Sequence, residues 1–365
     1  MKKLVMLLPL ALILCFMVCC QNKEAKEEPE EQNVADSLPG FIFSEPNPNS
    51  DGKIKILVWY DMEGLSGIDD WMMCEFRYTE QYNQGRVFLT ADVNTVIEGL
   101  FDGGADEIYV LDRHGSGSPG PDIILERMNS RAKFIEKVPE EKWVWELEVF
   151  DAVAFVGMHS KTGGGGFMAH TGNPGMDQIL NGRSVNETEL AIISAGMFDV
   201  PMILVSGDDK LKQQLQPYPW IEYVTVKYSK DAYTAALRPI DEVHQEMRMA
   251  AKQAVKNIPD AKVVNLKTPI KAGLRAVPPA DLSNLDGVPG INFKDDTVTF
   301  EANDYNEAWE GIDALIYVAY TGYDELRWEI VRKRDDYKEI RDDWLHNLFI
   351  RWLDYESGRW KPSKK

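Results

Sequence analysis

Asp61 and Glu63 lie two residues apart, directly after the β-forming run Ile54–Tyr60. In an extended chain alternate residues point the same way, so both carboxylates can face one cation. An Asp-x-Glu pair is equally an ordinary solvated turn, and alone it carries little. The histidines add weight. The chain has only five, and His114, His159 and His170 all follow predicted strands of the same region, the first two at strand ends. Imidazole and carboxylate are the ligands that suit zinc where thiols are absent. His244 and His346 sit in helical, charged surroundings and read as solvated surface residues. Glu187 belongs to Asn186-Glu187-Thr188-Glu189, ahead of the apolar run Leu190–Ile193. Asn186 with Glu189 has the form of a capping box, which places Glu187 in the first turn of a helix. There it is either a ligand or an acid complementing the helix dipole, and chemistry alone leaves both open.

Two other chemistries are excluded. The glycines Gly163–Gly166 invite a phosphate-loop reading, but no Gly-Lys-Ser/Thr follows and no strand-to-helix junction frames them. They read instead as a mobile loop between His159 and His170, where glycine permits close backbone approach to a ligand. No Gly-x-Ser-x-Gly elbow supports a serine nucleophile.

The elements that must position these residues alternate. Ile54–Tyr60 predicts a buried strand; apolar residues from Leu89 to Phe101 recur at helical spacing over 86–102, with Gly103-Gly104 as the stop. Strands follow at Glu107–Leu111, ending in Asp112-Arg113-His114, at Ala152–Val156, ending in Gly157-Met158-His159, and at Pro201–Val205. This pattern argues for an α/β fold: a mostly parallel sheet with flanking helices, its ligand crevice beyond the carboxyl ends of the strands. The metal-binding catalytic domain spans 51–260. A smaller C-terminal α+β lobe spans 261–322, with strands at Val263–Leu266 and Val298–Glu301 and a helix over Tyr305–Ala319. Residues 323–365 form a charged, Trp-rich helical extension, expected to cover the body or a partner subunit.

The ends of the chain bound its location and partners. Residues 1–19, with Lys2 and Lys3 before the apolar run Leu4–Val18, read as a secretory signal, and Cys19 or Cys20 at its close as the lipidation site of an exported, membrane-anchored lipoprotein on the periplasmic or cell-surface side. Residues 20–50, acidic and poor in apolar groups, read as a flexible tether. A net charge of −19 over 365 residues makes nucleic acid an unsuitable partner. Of four cysteines only Cys74 falls in the globular part, so no disulfide framework is expected.

The ordered motifs resemble one family. Tyr60-Asp61-Met62-Glu63-Gly64-Leu65-Ser66-Gly67 is similar to the opening signature of the zinc-dependent D-aminopeptidase family of DppA-like metallopeptidases; Leu111–His114, Gly157–His159, the spacing from His159 to His170, Asn181–Glu187 and Asp199–Asp209 continue the likeness in order, over about residues 54–320. The resemblance implies two zinc ions per subunit, with Asp61 bridging, Glu63 and His159 completing one site, and His114 and Glu187 the other. It implies that His170 is the catalytic histidine, and that the protein forms a ring-shaped homo-oligomer such as a decamer. Arg113, Gly115, Ala169 and Thr171 depart from the serine-rich surroundings of the family's histidines, and Asn186 replaces a glycine.

The chemistry is coherent in itself. Two divalent ions sharing a carboxylate lie roughly 3.5–4 Å apart and lower the pKa of bound water towards about 7, which makes hydroxide available at neutral pH. That hydroxide attacks the carbonyl of a short peptide, one carrying an N-terminal D-amino acid by the resemblance, while His170 stabilises the oxyanion or protonates the leaving amine. The alternatives are a dinuclear hydrolase for a phosphoester or cyclic amide, and a non-catalytic peptide-binding surface lipoprotein.

Overall fold

The strand Lys55–Tyr60 (β2) is buried on both sides, and its residues sort alternately into two hydrophobic cores. Ile56, Val58 and Tyr60 enter one; Leu57 and Trp59 enter the other. That division follows from the two-residue period of a strand covered on both faces. On the first face lie helices Thr79–Gly103 (α1) and Ile240–Lys256 (α4). On the second lie helices Glu187–Gly196 (α2) and Tyr305–Ala319 (α5), with a second sheet.

The computed structural model describes residues 38–47, 51–136 and 147–359. The signal 1–19, the lipidation site at Cys19 or Cys20 and the tether up to residue 37 lie outside them. No helix among the described residues is long and apolar enough to cross a membrane.

The central sheet is α/β, as expected. β2 lies between Glu107–Asp112 (β3) and Ala152–Met158 (β5), parallel to both; Lys133–Ile135 (β4) extends it beyond β3, and Met202–Asp208 (β8) then Glu222–Ser229 (β9) extend it beyond β5. Only the edge strand Ala235–Leu237 (β10) is antiparallel. The chain thus builds outward from β2 in one direction and then in the other. The crevice at the carboxyl ends of β2 and β5 is a topological switch point.

Three expectations change. Phe41–Ser44 (β1), inside the stretch read as tether, pairs with Val263–Leu266 (β11), so the ordered body begins before residue 51. The α+β segment after residue 260 is not a self-contained lobe. Its strands Ile270–Ala276 (β12), Asn292–Lys294 (β13) and Thr297–Ala302 (β14) form one antiparallel sheet with Met176–Leu180 (β6) and Arg183–Ser184 (β7). The body is therefore continuous across the expected boundary, and the described residues form one compact unit. The last helices divide: Thr321–Arg332 (α6) meets the body at its first turn, where the Tyr323 hydroxyl donates to Pro174 O, whereas Tyr337–Glu356 (α7) is exposed almost throughout, with Trp344 at 51% and Phe349 at 54%, and so lacks the first of the two covers expected of it, that over the body.

Candidate metal centre

The loop after β2 is laced to the end of β5 by backbone alone. Asp61 N–H donates to Val156 O and Gly64 N–H to Gly157 O, each at 2.8 Å. Both glycines are required. A Cβ on Gly64 would stand 1.8 Å from Met158 O, and one on Gly157, whose φ is +84°, would stand 2.2 Å from Asp61 O. This close approach sets Asp61 and Glu63 beside His159, one residue past β5.

His114 arrives from the other side of β2, off the end of β3. Its Nε2 lies 3.5 Å from Glu63 Oε1, and its Nδ1 is 2.8 Å from Asp122 Oδ2. Asp122 is itself held by Ser116 Oγ, at 2.5 Å, and by the Tyr82 hydroxyl. Glu187 comes in on the first turn of α2, whose capping box is present as read: Asn186 accepts from Glu189 N, and Glu189 accepts from Asn186 N. Its Oε1 accepts from Gly172 N at 2.6 Å and lies 3.7 Å from both His159 Nε2 and His170 Nε2. His159 Nε2 is 3.5 Å from Asp61 Oδ2. The rings of His159 and His170 stack with centroids 4.2 Å apart.

All six residues picked from the sequence therefore meet at one place. Their donor atoms fall into three overlapping sets, each within 4.8 Å: Asp61, Glu63 and His114; Asp61, His159 and Glu187; and Glu63, His159 and His170. The third set holds Glu63 and His159 together, the pair the resemblance implied for one site, while the other two sets group the ligands differently. His114 groups with Glu63, and Glu187 with His159, because β3 and β5 flank β2 on opposite sides and α2 packs on the side of β5. The third set also leaves His170 closer to the ligands than the sequence reading put it.

Several observations fit a divalent cation here. Glu63 Oε2 and His159 Nε2 are buried with no hydrogen-bond partner, a costly arrangement unless something else engages them. In each histidine Nδ1 is occupied, by Asp122 in His114, by Ser160 O in His159 and by Met168 O in His170, so Nε2 faces the cluster. Metal-bound imidazoles are held this way. The charges are strained without a cation. Burial, reinforced by the Glu63 charge, pushes Asp61 up to about 8. For His159 burial acts downward, but Asp61 and Glu187 outweigh it and raise the ring to about 10. Likewise burial opposes ionisation of Glu63, yet the charge of His114 holds its carboxyl well below the usual range.

The model of the D-aminopeptidase family, peptidase family M55, matches residues 54–314. The chain belongs to that family. A D-aminopeptidase of Bacillus subtilis (strain 168) is 27% identical over 276 residues, 73% of this chain and 98% of the relative. The fold also matches a solved structure described as the Zn-dependent D-aminopeptidase DppA from Bacillus subtilis, a self-compartmentalizing protease, with a TM-score of 0.65 at 23% identity over 73% of this chain and 98% of that one. The present D-aminopeptidase family member is thus a metallo-aminopeptidase, and residues beyond 314 lie outside the family match.

Three contributors escaped the sequence reading. Asp122 sits in a Gly/Pro-rich loop with no periodic signal. Lys227 on β9 is fully buried; its Nζ donates to Glu63 O at 2.7 Å and to Ile68 O, which braces the loop carrying Asp61 and Glu63, and burial lowers its pKa to about 8. His244, expected at the solvated surface, is tied by Nε2 to the buried Asp92 at 2.7 Å. His346 is exposed, as expected.

Proposed function

We propose that the enzyme is a dinuclear zinc aminopeptidase that hydrolyses short peptides, with preference for an N-terminal D-amino acid. The observation that carries this reading is the sharing of Asp61 between two carboxylate–histidine sets beside the orphaned Glu63 Oε2 and His159 Nε2. Asp61, Glu63 and His114 would hold one ion, and Asp61, His159 and Glu187 the other. Bound zinc would supply Lewis acidity at the scissile carbonyl and acidify water for attack at neutral pH. The protein's own groups do the rest. Asp122 keeps the His114 ring turned to the cluster, Ser160 O does the same for His159, and Lys227 fixes the backbone at Glu63. We assign His170, the most exposed of the three imidazoles at 19%, to the substrate side, with its Nε2 giving a proton to the leaving amine.

The relative's described self-compartmentalization supports a ring homo-oligomer here, which electron microscopy of the purified enzyme would reveal. Export with a lipid on Cys19 or Cys20 completes the proposal, and mass analysis of the mature N-terminus tests it. The central experiment is metal analysis of purified protein together with a D- and L-alanyl peptide panel on the same sample. Two zinc ions and cleavage of D-alanyl peptides are expected. One ion, or no peptidase activity in zinc-loaded protein, overturns the reading.

A further inference from the structure

Arg113 and His114 are adjacent past the end of β3, and their side chains part. His114 turns to Glu63 and Asp122, whereas the Arg113 guanidinium lies over the Trp59 ring, 5.4 Å from its centroid, on the opposite face of the sheet. There it lines a cavity of about 420 Å³ bordered also by Glu187, Gln178, Phe155, Tyr305 and Trp309. Glu187 is common to the metal cluster and to this cavity, so the two communicate at one carboxylate.

The polar equipment of the cavity is selective. Gln178 is 1% exposed, and its Oε1 is a buried acceptor with no hydrogen-bond partner. An acceptor left so is satisfied by an incoming N–H donor. Arg113 presents a planar fork suited to a carboxylate. Of the acids that border the cavity, Glu310 and Asp313 are exposed, while Glu187 is half-buried and its charge acts on Arg113, whose cation lies against the sheet. The aromatic walls accept an apolar side chain.

We infer that this cavity receives the residue released on cleavage: a C-terminal amino acid with a free α-carboxylate on Arg113, its amide N–H directed to Gln178 Oε1, and an apolar or aromatic side chain against Phe155, Tyr305 and Trp309. The inference rests on the aminopeptidase reading for its direction, because the peptide's amino end and scissile carbonyl occupy the metal cluster and only the leaving portion extends past Glu187. Arg113 is then a specificity-determining residue that favours peptides short enough to end in this cavity.

The test separates binding from turnover. Racemic N-acetylphenylalanine and its carboxamide carry no free amine, so an aminopeptidase leaves them intact. Calorimetric titration of the metal-loaded full chain should find the acid bound about tenfold tighter than the carboxamide, as expected for a charge-assisted hydrogen bond. In Arg113→Gln that ratio should fall to within about threefold of unity, while Arg113→Lys, which keeps the charge, should retain part of it. In turnover, D-alanylphenylalanine should be cleaved faster than D-alanylphenylalaninamide by wild type, and the kcat/KM ratio should shrink in Arg113→Gln. Equal binding of acid and carboxamide by wild type, or a preference that survives in Arg113→Gln because the carboxylate binds metal, overturns the inference. Arg113-dependent binding of the acid without hydrolysis of any peptide would sustain it and sink the peptidase reading alone.

Discussion

Among the described residues, two clusters join acids to histidine, and one of them has the marks of a reaction centre. In the first, Asp61, Glu63, His114, His159 and Glu187 crowd together with two donor atoms unengaged. In the second, Asp92 on α1 accepts from Ser66 N at 2.8 Å, from the Ser66 hydroxyl and from His244 Nε2 at 2.7 Å. Asp92 thus has a donor on each oxygen. Both join aspartate to histidine; what differs is the balance of partners. A satisfied network specifies structure, here by tying the Asp61–Gly67 loop to α1 and α4, whereas an unsatisfied one marks where a ligand belongs.

Breaking the first cluster should have the largest effect. Glu63→Ala removes a carboxylate from one of the two proposed metal positions and should lower activity by roughly 100-fold or more, as losses at metal shells do, with circular dichroism unchanged. Wild-type turnover in that variant would remove Glu63 from the site. His170→Ala sharpens the assignment within the cluster. Loss of a general acid or base costs about 10²- to 10⁴-fold in kcat, and the variant should keep its full metal content; loss of one zinc by elemental analysis would make His170 a ligand instead.

The second cluster should respond in stability before chemistry. His244→Ala leaves the buried Asp92 with one donor fewer and should cost about 1–3 kcal/mol, read by urea unfolding. Its hydrogen bond to Asp92 raises the pKa of His244 in the folded chain. The charged pair therefore contributes fully below the unfolded value of about 6.5 and fades as pH rises through the folded value. The wild-type advantage over His244→Ala should accordingly be larger at acid than at alkaline pH, and a pH-independent difference would contradict the ion pair. The smallest effect is expected at Cys74. Its thiol is buried and unpaired with another cysteine, and burial raises its pKa well above the usual value. Alkylating reagents should leave it unmodified in native protein and turnover unchanged; rapid labelling, followed by mass spectrometry, would show that the site opens.

Much of the centre was legible in the sequence because each ligand sits at a local boundary. Strand runs end at Tyr60, Asp112 and Met158, the capping box around Asn186 announces a helix start, and each such signal spans only a few residues. Helix α5 and strand β11 appeared with the bounds read from their patterns, for the same reason. What spacing could not contain is the meeting of distant segments. The pairing of β6 with β12 and the capture of Phe41–Ser44 by β11 depend on which strand lies beside which. So does the division of the ligands into sets, since Asp61 meets His114 on one side and His159 on the other only because β2 lies between β3 and β5. Periodicity records which face of an element is buried; the neighbour against which it is buried is chosen by the packing of the whole chain, and that choice directs Arg113 to one cavity and His114 to the metal centre.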